Sequence, residues 1–405
     1  MGESVEIVKL GHAGDGMTAD GLFVPFTVPG DRVGVRREGA RGRVEEILVP
    51  GPWRVAPACR HFGVCGGCAL QHIAREPYLA WKRSLVVAAL KQRGFASTPV
   101  EDIRAVPEGT RRRATFKARG SAKGVQLGFY EPESRVLVDL AECPILVPEL
   151  AKAMAPLRKH LAPLLASHET VELHATASDT GIDLSLRWKR ERKPDFLMAL
   201  SELAAALRLA RLSWNGEALA IAATPTLKNG KFTVALPIES FLQPTREGER
   251  ILQELVSEAA AGARCVGDLF SGCGTFALAL AGGRIVHAVD SSATQVKALG
   301  DAAKAGGTNV TTETRDLFRR PLLPSELARF GAVVLDPPRP GATAQAKQLA
   351  QSSVPRVIYV SCSPASFARD ARILADGGYR LERVVPVDQF LWSPHVELFA
   401  SFIKG

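Results

Sequence analysis

Val266-Gly-Asp-Leu-Phe-Ser-Gly-Cys-Gly-Thr-Phe276 reads as the end of a buried strand, a glycine turn and the first turn of a helix. Glycine lets the backbone come close to a ligand, and the peptide N–H groups that open a helix have no partner inside it. On either side of this stretch, Arg264 to Phe270, Arg284 to Asp290, Ala332 to Leu335 and Val357 to Val360 are short β-type runs separated by helical spacing. Strands alternating with helices predict a doubly wound, Rossmann-like parallel sheet over residues 241–405. Ligands of such sheets sit beyond the carboxyl ends of the strands. Asp290 closes one run, Leu335-Asp336-Pro-Pro-Arg339 a second and Tyr359-Val-Ser-Cys362-Ser-Pro364 a third, so all three point to the crevice that holds the glycine turn.

The chain has 405 residues, 46% hydrophobic and 23% charged, which is enough for two or three globular units. No apolar run approaches the ~20 residues a bilayer span needs, and the start Met-Gly-Glu-Ser-Val-Glu lacks the features of a signal peptide, so a cytoplasmic protein without membrane contact is expected. Thiols stay reduced there. Seven cysteines, an odd count in a long chain, argue against a disulfide framework, and clustered ones call for metal or chemistry. A net charge of +9 and a pI near 9.3 call for an anionic partner, nucleic acid first, with plain solubility as the bland alternative.

Three textures divide the chain. Val5 to Val49 alternates apolar and polar residues between turn signals, which predicts a small β-barrel over residues 1–50. Residues 51–240 form a central α+β unit. It opens on Cys59-Arg-His-Phe-Gly-Val-Cys65-Gly-Gly-Cys68 and continues in a helix over Glu76 to Gly94. A meander is predicted over Arg111 to Arg119, Val125 to Tyr130 and Arg135 to Leu140, a hairpin over Val171 to Leu186 turning at Asp179-Thr-Gly181, and a helix over Asp195 to Leu212. From Arg104 to Lys123 seven cations, among them Arg112 and Lys117, face the single acid Glu108. Such a run suits phosphate contact, the alternative being a solvated edge strand protected by charge.

The glycine turn lacks the fuller pattern of a nicotinamide site. With Asp290 placed to accept ribose hydroxyls, it better suits S-adenosylmethionine, which carries no phosphate. Asp316, after the next strand, could bond the adenine amine, or could equally cap a turn. Cys362, beside such a methyl donor, points to one chemistry: a thiolate adds to C6 of uracil and makes C5 nucleophilic. C5 must then shed its proton. Trp392-Ser-Pro-His395-Val-Glu397 offers two candidate bases, and a partly buried Glu397 could have the raised pKa that a base needs.

These residues resemble the RNA uracil-5 methyltransferase family, and more narrowly its iron–sulfur 23S rRNA branch. The resemblance covers nearly the whole chain. Its marks are Cys59-x5-Cys65-Gly-Gly-Cys68-x-Leu-Gln71-His72, Cys143-Pro144, Phe241-Leu-Gln243, Asp268-Leu-Phe-Ser-Gly-Cys-Gly274, Asp336-Pro-Pro-Arg339, Ser361-Cys-Ser-Pro364 and His395-x-Glu397. It implies an N-terminal barrel like a TRAM or OB domain and a class I methyltransferase domain at the C-terminus. It further implies that Gln243, Phe270, Thr275, Asp290, Asp316 and Asp336 line the S-adenosylmethionine and uracil pocket, with Cys362 as nucleophile and Glu397 as base. Cys59, Cys65, Cys68 and Cys143 supply four thiolates, the number for a [4Fe–4S] cluster or an all-cysteine zinc site. Only Cys65 and Cys68 form a Cys-x2-Cys pair, which disfavours zinc, and the resemblance implies the cluster, closed by four ligands and structural or RNA-positioning in role. The leading expectation is a monomeric enzyme forming 5-methyluridine in 23S rRNA. The alternatives are the same reaction on tRNA, and a noncatalytic iron–sulfur RNA-binding protein.

Overall fold

The computed structural model describes residues 3–405. Its N-terminal strands form one curled six-stranded sheet, in the order Glu3–Glu6, Arg32–Glu38, Arg41–Val49, Phe23–Val24, Gly16–Met17, Lys9–Leu10. Ile7, Leu22, Val24, Val33 and Val35 make its small core.

A second sheet of seven strands carries the expected meander and hairpin. Leu137–Asp139, Gly124–Tyr130, Arg113–Ser121, Thr170–Ser178 and Gly181–Arg187 lie side by side and antiparallel. The hairpin turns through Asp179 and Thr180, as the Asp-Thr-Gly signal predicts. One helix differs from expectation. It runs only over Pro194–Ala206, Arg208 turns left-handed with φ 49°, and Arg211–Trp214 is a buried strand parallel to Gly181–Arg187. Apolar spacing continues across the break, but Arg211 is held by Asp183 at 2.6 and 2.9 Å, a tertiary contact that no local pattern carries.

The third sheet has eight strands. Val310–Thr314, Ile285–Asp290, Cys265–Leu269, Ala332–Leu335 and Arg356–Ser361 are parallel, in that spatial order. The chain winds outward one way from Cys265–Leu269 and then returns to its other side, so a topological switch point lies between that strand and Ala332–Leu335. Glu397–Lys404 runs antiparallel to Arg356–Ser361, Tyr379–Asp388 follows it, and Arg104–Ala105 closes the edge. Strands buried on both faces explain the unbroken apolar runs, with Ala332, Val333, Val334 and Leu335 all fully enclosed.

Of the seven cations in the run of residues 104–123 only Arg112 is buried, which corrects the phosphate-contact expectation for that residue. Arg112 is 1% exposed, donates to the Gln243 carbonyl at 2.9 Å and pairs with Glu249, while Lys117 pairs with Glu172 across the sheet. Arg112, tied in the interior to a carbonyl and a carboxylate although its Nη1 has no partner there, is a structural strut. Breaking such a buried pair costs about 3–5 kcal/mol. Arg112→Ala should therefore lower the unfolding free energy by roughly that amount in a urea titration, and leave the salt dependence of RNA binding unchanged. An unaltered denaturation midpoint with a flattened salt slope would return Arg112 to the phosphate role.

Candidate active site

Because four strand ends meet at one edge, their polar residues share a cavity of about 740 Å³. Phe270, Thr275, Asp290, Asp336 and Cys362 come to it from the carboxyl ends of parallel strands or the turns just after them. Glu397 reaches the same edge because its strand runs the other way: Ser361 pairs with Leu398, so one step further along puts Cys362 beside Glu397. Gln243 completes the wall from the segment locked by Arg112. Across the opening stand Arg113, Thr115 and His174 of the seven-stranded sheet, with Arg111 just before it, so the cavity lies in a cleft between two units.

The glycine turn has the geometry its sequence requires. Gly272 and Gly274 take φ of 53° and 91°, and a Cβ on Gly274 would lie 2.3 Å from Leu299. Phe270, a bulky residue, is held at φ 65°, a conformation that persists only where the surroundings enforce it. Asp290 accepts from the N–H of Gly272 at 3.0 Å and of Ser292 at 2.8 Å, which aims its carboxylate along the turn. Asn229 and Gln253 brace the turn from behind by donating to the Thr275 carbonyl at 3.1 and 2.9 Å. Neither was singled out in the sequence, although Asn229-Gly230 is a turn signal. Asp316 stands outside the cavity lining. It accepts from the N–H of Phe318 at 2.9 Å and of Arg319 at 3.4 Å, the turn-cap alternative, and Phe318 lines the cavity in its place.

Acidity is concentrated at the cavity floor. Burial pushes Glu397 up to about 7, and the Gln389 amide, donating to Oε2 at 2.8 Å, works against that rise. Asp336 is held well above the carboxylate range by burial, then by the charges of Glu397 and Asp268. Gln243 ties the acids together: its Nε2 donates to Asp336 at 3.2 Å and its Oε1 accepts from Gln389 at 2.8 Å. Burial first, then the charges of Glu397 and Asp336, together raise Cys362 to about 11, against the lowering by the neighbouring cation Arg339. The resting group is a thiol beside an acid that titrates near neutrality. His395, the other candidate base, contacts Arg339 at 2.9 Å, and its partial burial and that guanidinium lower its pKa below the usual imidazole value.

Cys59, Cys65, Cys68 and Cys143 are free thiols that share one neighbourhood. Burial chiefly, with a smaller contribution from neighbouring thiols of the set, raises Cys68 to about 11 and Cys143 to about 12. The Cys59 loop reaches the Cys143 loop through Ala141, whose N–H donates to His61 at 2.9 Å, and Gly66 donates to the Tyr130 carbonyl at 2.9 Å. Among the described residues no three His, Cys, Asp or Glu side chains close around a point that would hold a single metal ion. Zinc at ~2.3 Å from each sulfur would need them in contact, whereas an iron–sulfur cube keeps its own sulfides between the thiolates. By number and type of donor, the set fits the cluster.

Glycine turn, acidic strand end and half-buried thiol on one edge of a doubly wound sheet define a group-transfer enzyme with a methyltransferase-like domain. The family description "tRNA (Uracil-5-)-methyltransferase" matches residues 220–403. An RNA methyltransferase of Brucella suis is 45% identical over 99% of this chain and 98% of its own length. The 23S rRNA (uracil(1939)-C(5))-methyltransferase RlmD of Halomonas elongata is 35% identical over 96% of this chain and 87% of its own. The fold is shared with the tRNA (uracil-54, C5)-methyltransferase of Pyrococcus abyssi, solved with S-adenosyl-L-homocysteine, at a TM-score of 0.79 and 23% identity over 99% of this chain and all of that one. The chain belongs to the RNA uracil-5 methyltransferase family.

Proposed function

We propose that this protein methylates C5 of a uridine in 23S rRNA, with S-adenosylmethionine as donor, Cys362 as nucleophile and Glu397 as base. The observation that carries the reading is the juxtaposition of Cys362 with a buried Glu397 held near pH 7, in the cavity that also holds the glycine turn. Gln243, Phe270, Thr275, Asp290 and Asp336 would hold the donor and the base, with Asp316 at the outer edge. When bound, the donor supplies an electrophilic methyl group on sulfur. Cys362 gives up its thiol proton to solvent, its Sγ bonds to C6 of the uracil, and the electron pair of the C5=C6 bond moves toward O4 to give an enolate. C5 then takes the methyl group. Glu397 removes the remaining C5 proton, the C5=C6 bond re-forms and Cys362 leaves as thiolate. A uridine reaches this cleft only unstacked, from a loop or by flipping.

The 23S target rests on the Halomonas relative and on the four-cysteine set, which the tRNA branch of the family generally lacks. Absence of 5-methyluridine from 23S rRNA of cells lacking the gene, with tRNA unaffected, is the expected result. Loss from tRNA alone would overturn the target.

In the same reading residues 1–50 are a TRAM-like RNA-binding unit, 51–240 a cluster-bearing central domain and 241–405 the methyltransferase domain of a cytoplasmic monomer. Cys59, Cys65, Cys68 and Cys143 would hold a [4Fe–4S] cluster that joins the loop after the N-terminal sheet to the meander. Protein purified without oxygen should be brown, contain about four irons per chain, and lose both with Cys65→Ser. A colourless protein with one zinc would overturn the assignment.

A further inference from the structure

The reaction leaves one buried network unused. Tyr379–Asp388 and Glu397–Lys404 form a hairpin in which Val387 pairs with Glu397, so the loop of residues 389–396 fixes where the base stands. That loop is tied down at both ends by a different part of the chain. At its root, Asp388 is fully buried, accepts from the Tyr78 hydroxyl at 2.7 Å and pairs with Lys82, which is also fully buried and donates to the Phe390 carbonyl at 2.9 Å. At its tip, Trp392 is held left-handed at φ 57°. Its carbonyl accepts from the N–H groups of Ala69 at 2.9 Å and Leu70 at 3.1 Å, the two residues that follow Cys68. Its own N–H donates to the Tyr78 hydroxyl at 2.8 Å, so one phenol bridges root and tip. Gln389, next to Asp388, passes the placement on by donating to Glu397 at 2.8 Å.

A buried ion pair is seldom better for stability than an apolar pair of the same volume, and a Trp in the left-handed region is strained. Both persist here at the loop that precedes the base. We propose that the cysteine loop and the helix Arg75–Lys91 act as a positioning support for Glu397, clamping the 389–396 loop through Ala69, Leu70, Tyr78 and Lys82. A cluster held by Cys68 would stiffen the two peptide groups that grip Trp392. The cysteine site then serves proton removal, the last step of the reaction, and not only RNA placement. This inference rests on the roles proposed for Cys362 and Glu397.

The test uses full-length protein with its cysteine site loaded, RNA substrate and labelled methyl donor under rapid quench, and scores formation and release of the protein–RNA adduct separately. Tyr78→Phe and Lys82→Met should form the methylated adduct within about twofold of the wild-type rate and release it roughly tenfold more slowly, since each loses hydrogen bonds to a charged partner. Hydrogen exchange of the amides from Phe390 to Glu397 should quicken in both variants, and also in wild-type protein stripped of metal by a chelator. A network that merely stabilises the fold would lower the melting temperature and change both steps alike, which would overturn the proposal. Unchanged exchange of the 390–397 amides after metal removal would overturn it too, and is read without any turnover. Failure of the wild-type protein to methylate uridine would instead sink the proposed function.

Discussion

Cys362→Ala forms no covalent adduct with RNA and loses methyl transfer by roughly 10⁴-fold or more, the scale at which removal of a nucleophile acts. Without a bond to C6 the uracil C5 carries no usable electron pair, so chemistry stops before the methyl group moves. Backbone binding of RNA should survive, because it draws on phosphate contacts across a surface much wider than the cavity. The check is a denaturing gel with labelled donor, on which the variant shows neither labelled RNA nor a labelled band of protein plus RNA. A Cys362→Ala protein that still methylates at a tenth of the normal rate would remove the thiol from the mechanism.

Glu397→Gln has the opposite signature. Addition and methyl transfer proceed, while loss of the C5 proton slows by roughly 10²–10⁴-fold, the usual contribution of a positioned base. A methylated protein–RNA adduct should therefore accumulate, and disappear when Cys362→Ala is added. In the wild-type protein, burial holds Glu397 at about 7, so adduct release should fall about tenfold per pH unit below that value and level off above it. The same shift bears on stability. A carboxyl whose folded pKa is raised favours the fold while protonated, so this contribution is present at low pH and is lost as pH rises through about 7. Normal turnover by Glu397→Gln would move the base elsewhere, with His395 the first candidate.

That the candidate residues meet at one sheet edge was legible because the signals are local. Glycines at 272 and 274, the strand-ending Asp290 and Asp336, and Cys362 before Pro364 each sit where a β-type run stops, and parallel strands bring such stops together. Glu397 needed the antiparallel turn of its strand to reach that edge, which the sequence hinted at only through its place before a terminal apolar run. What stayed hidden depends on partners far along the chain. Arg112 looks like any surface cation until Gln243 and Glu249 are folded against it. Gln389 has no signal at all, since its use is a hydrogen bond to Glu397 across a hairpin and another to Gln243, 146 residues away. Tyr78 and Lys82 sit on a helical stripe read as core, and their polar ends meet Asp388 some 300 residues later. Asp316 shows the converse: an acid after a strand serves a turn as readily as a ligand.

The most direct test of C5 chemistry uses RNA carrying tritium at uracil C5, incubated with wild-type protein and labelled S-adenosylmethionine. One tritium should pass to water for each methyl group incorporated, and nuclease digestion should yield 5-methyluridine as the labelled nucleoside. Methyl incorporation with the tritium retained would place the new bond on another atom and contradict the roles of Cys362 and Glu397 together.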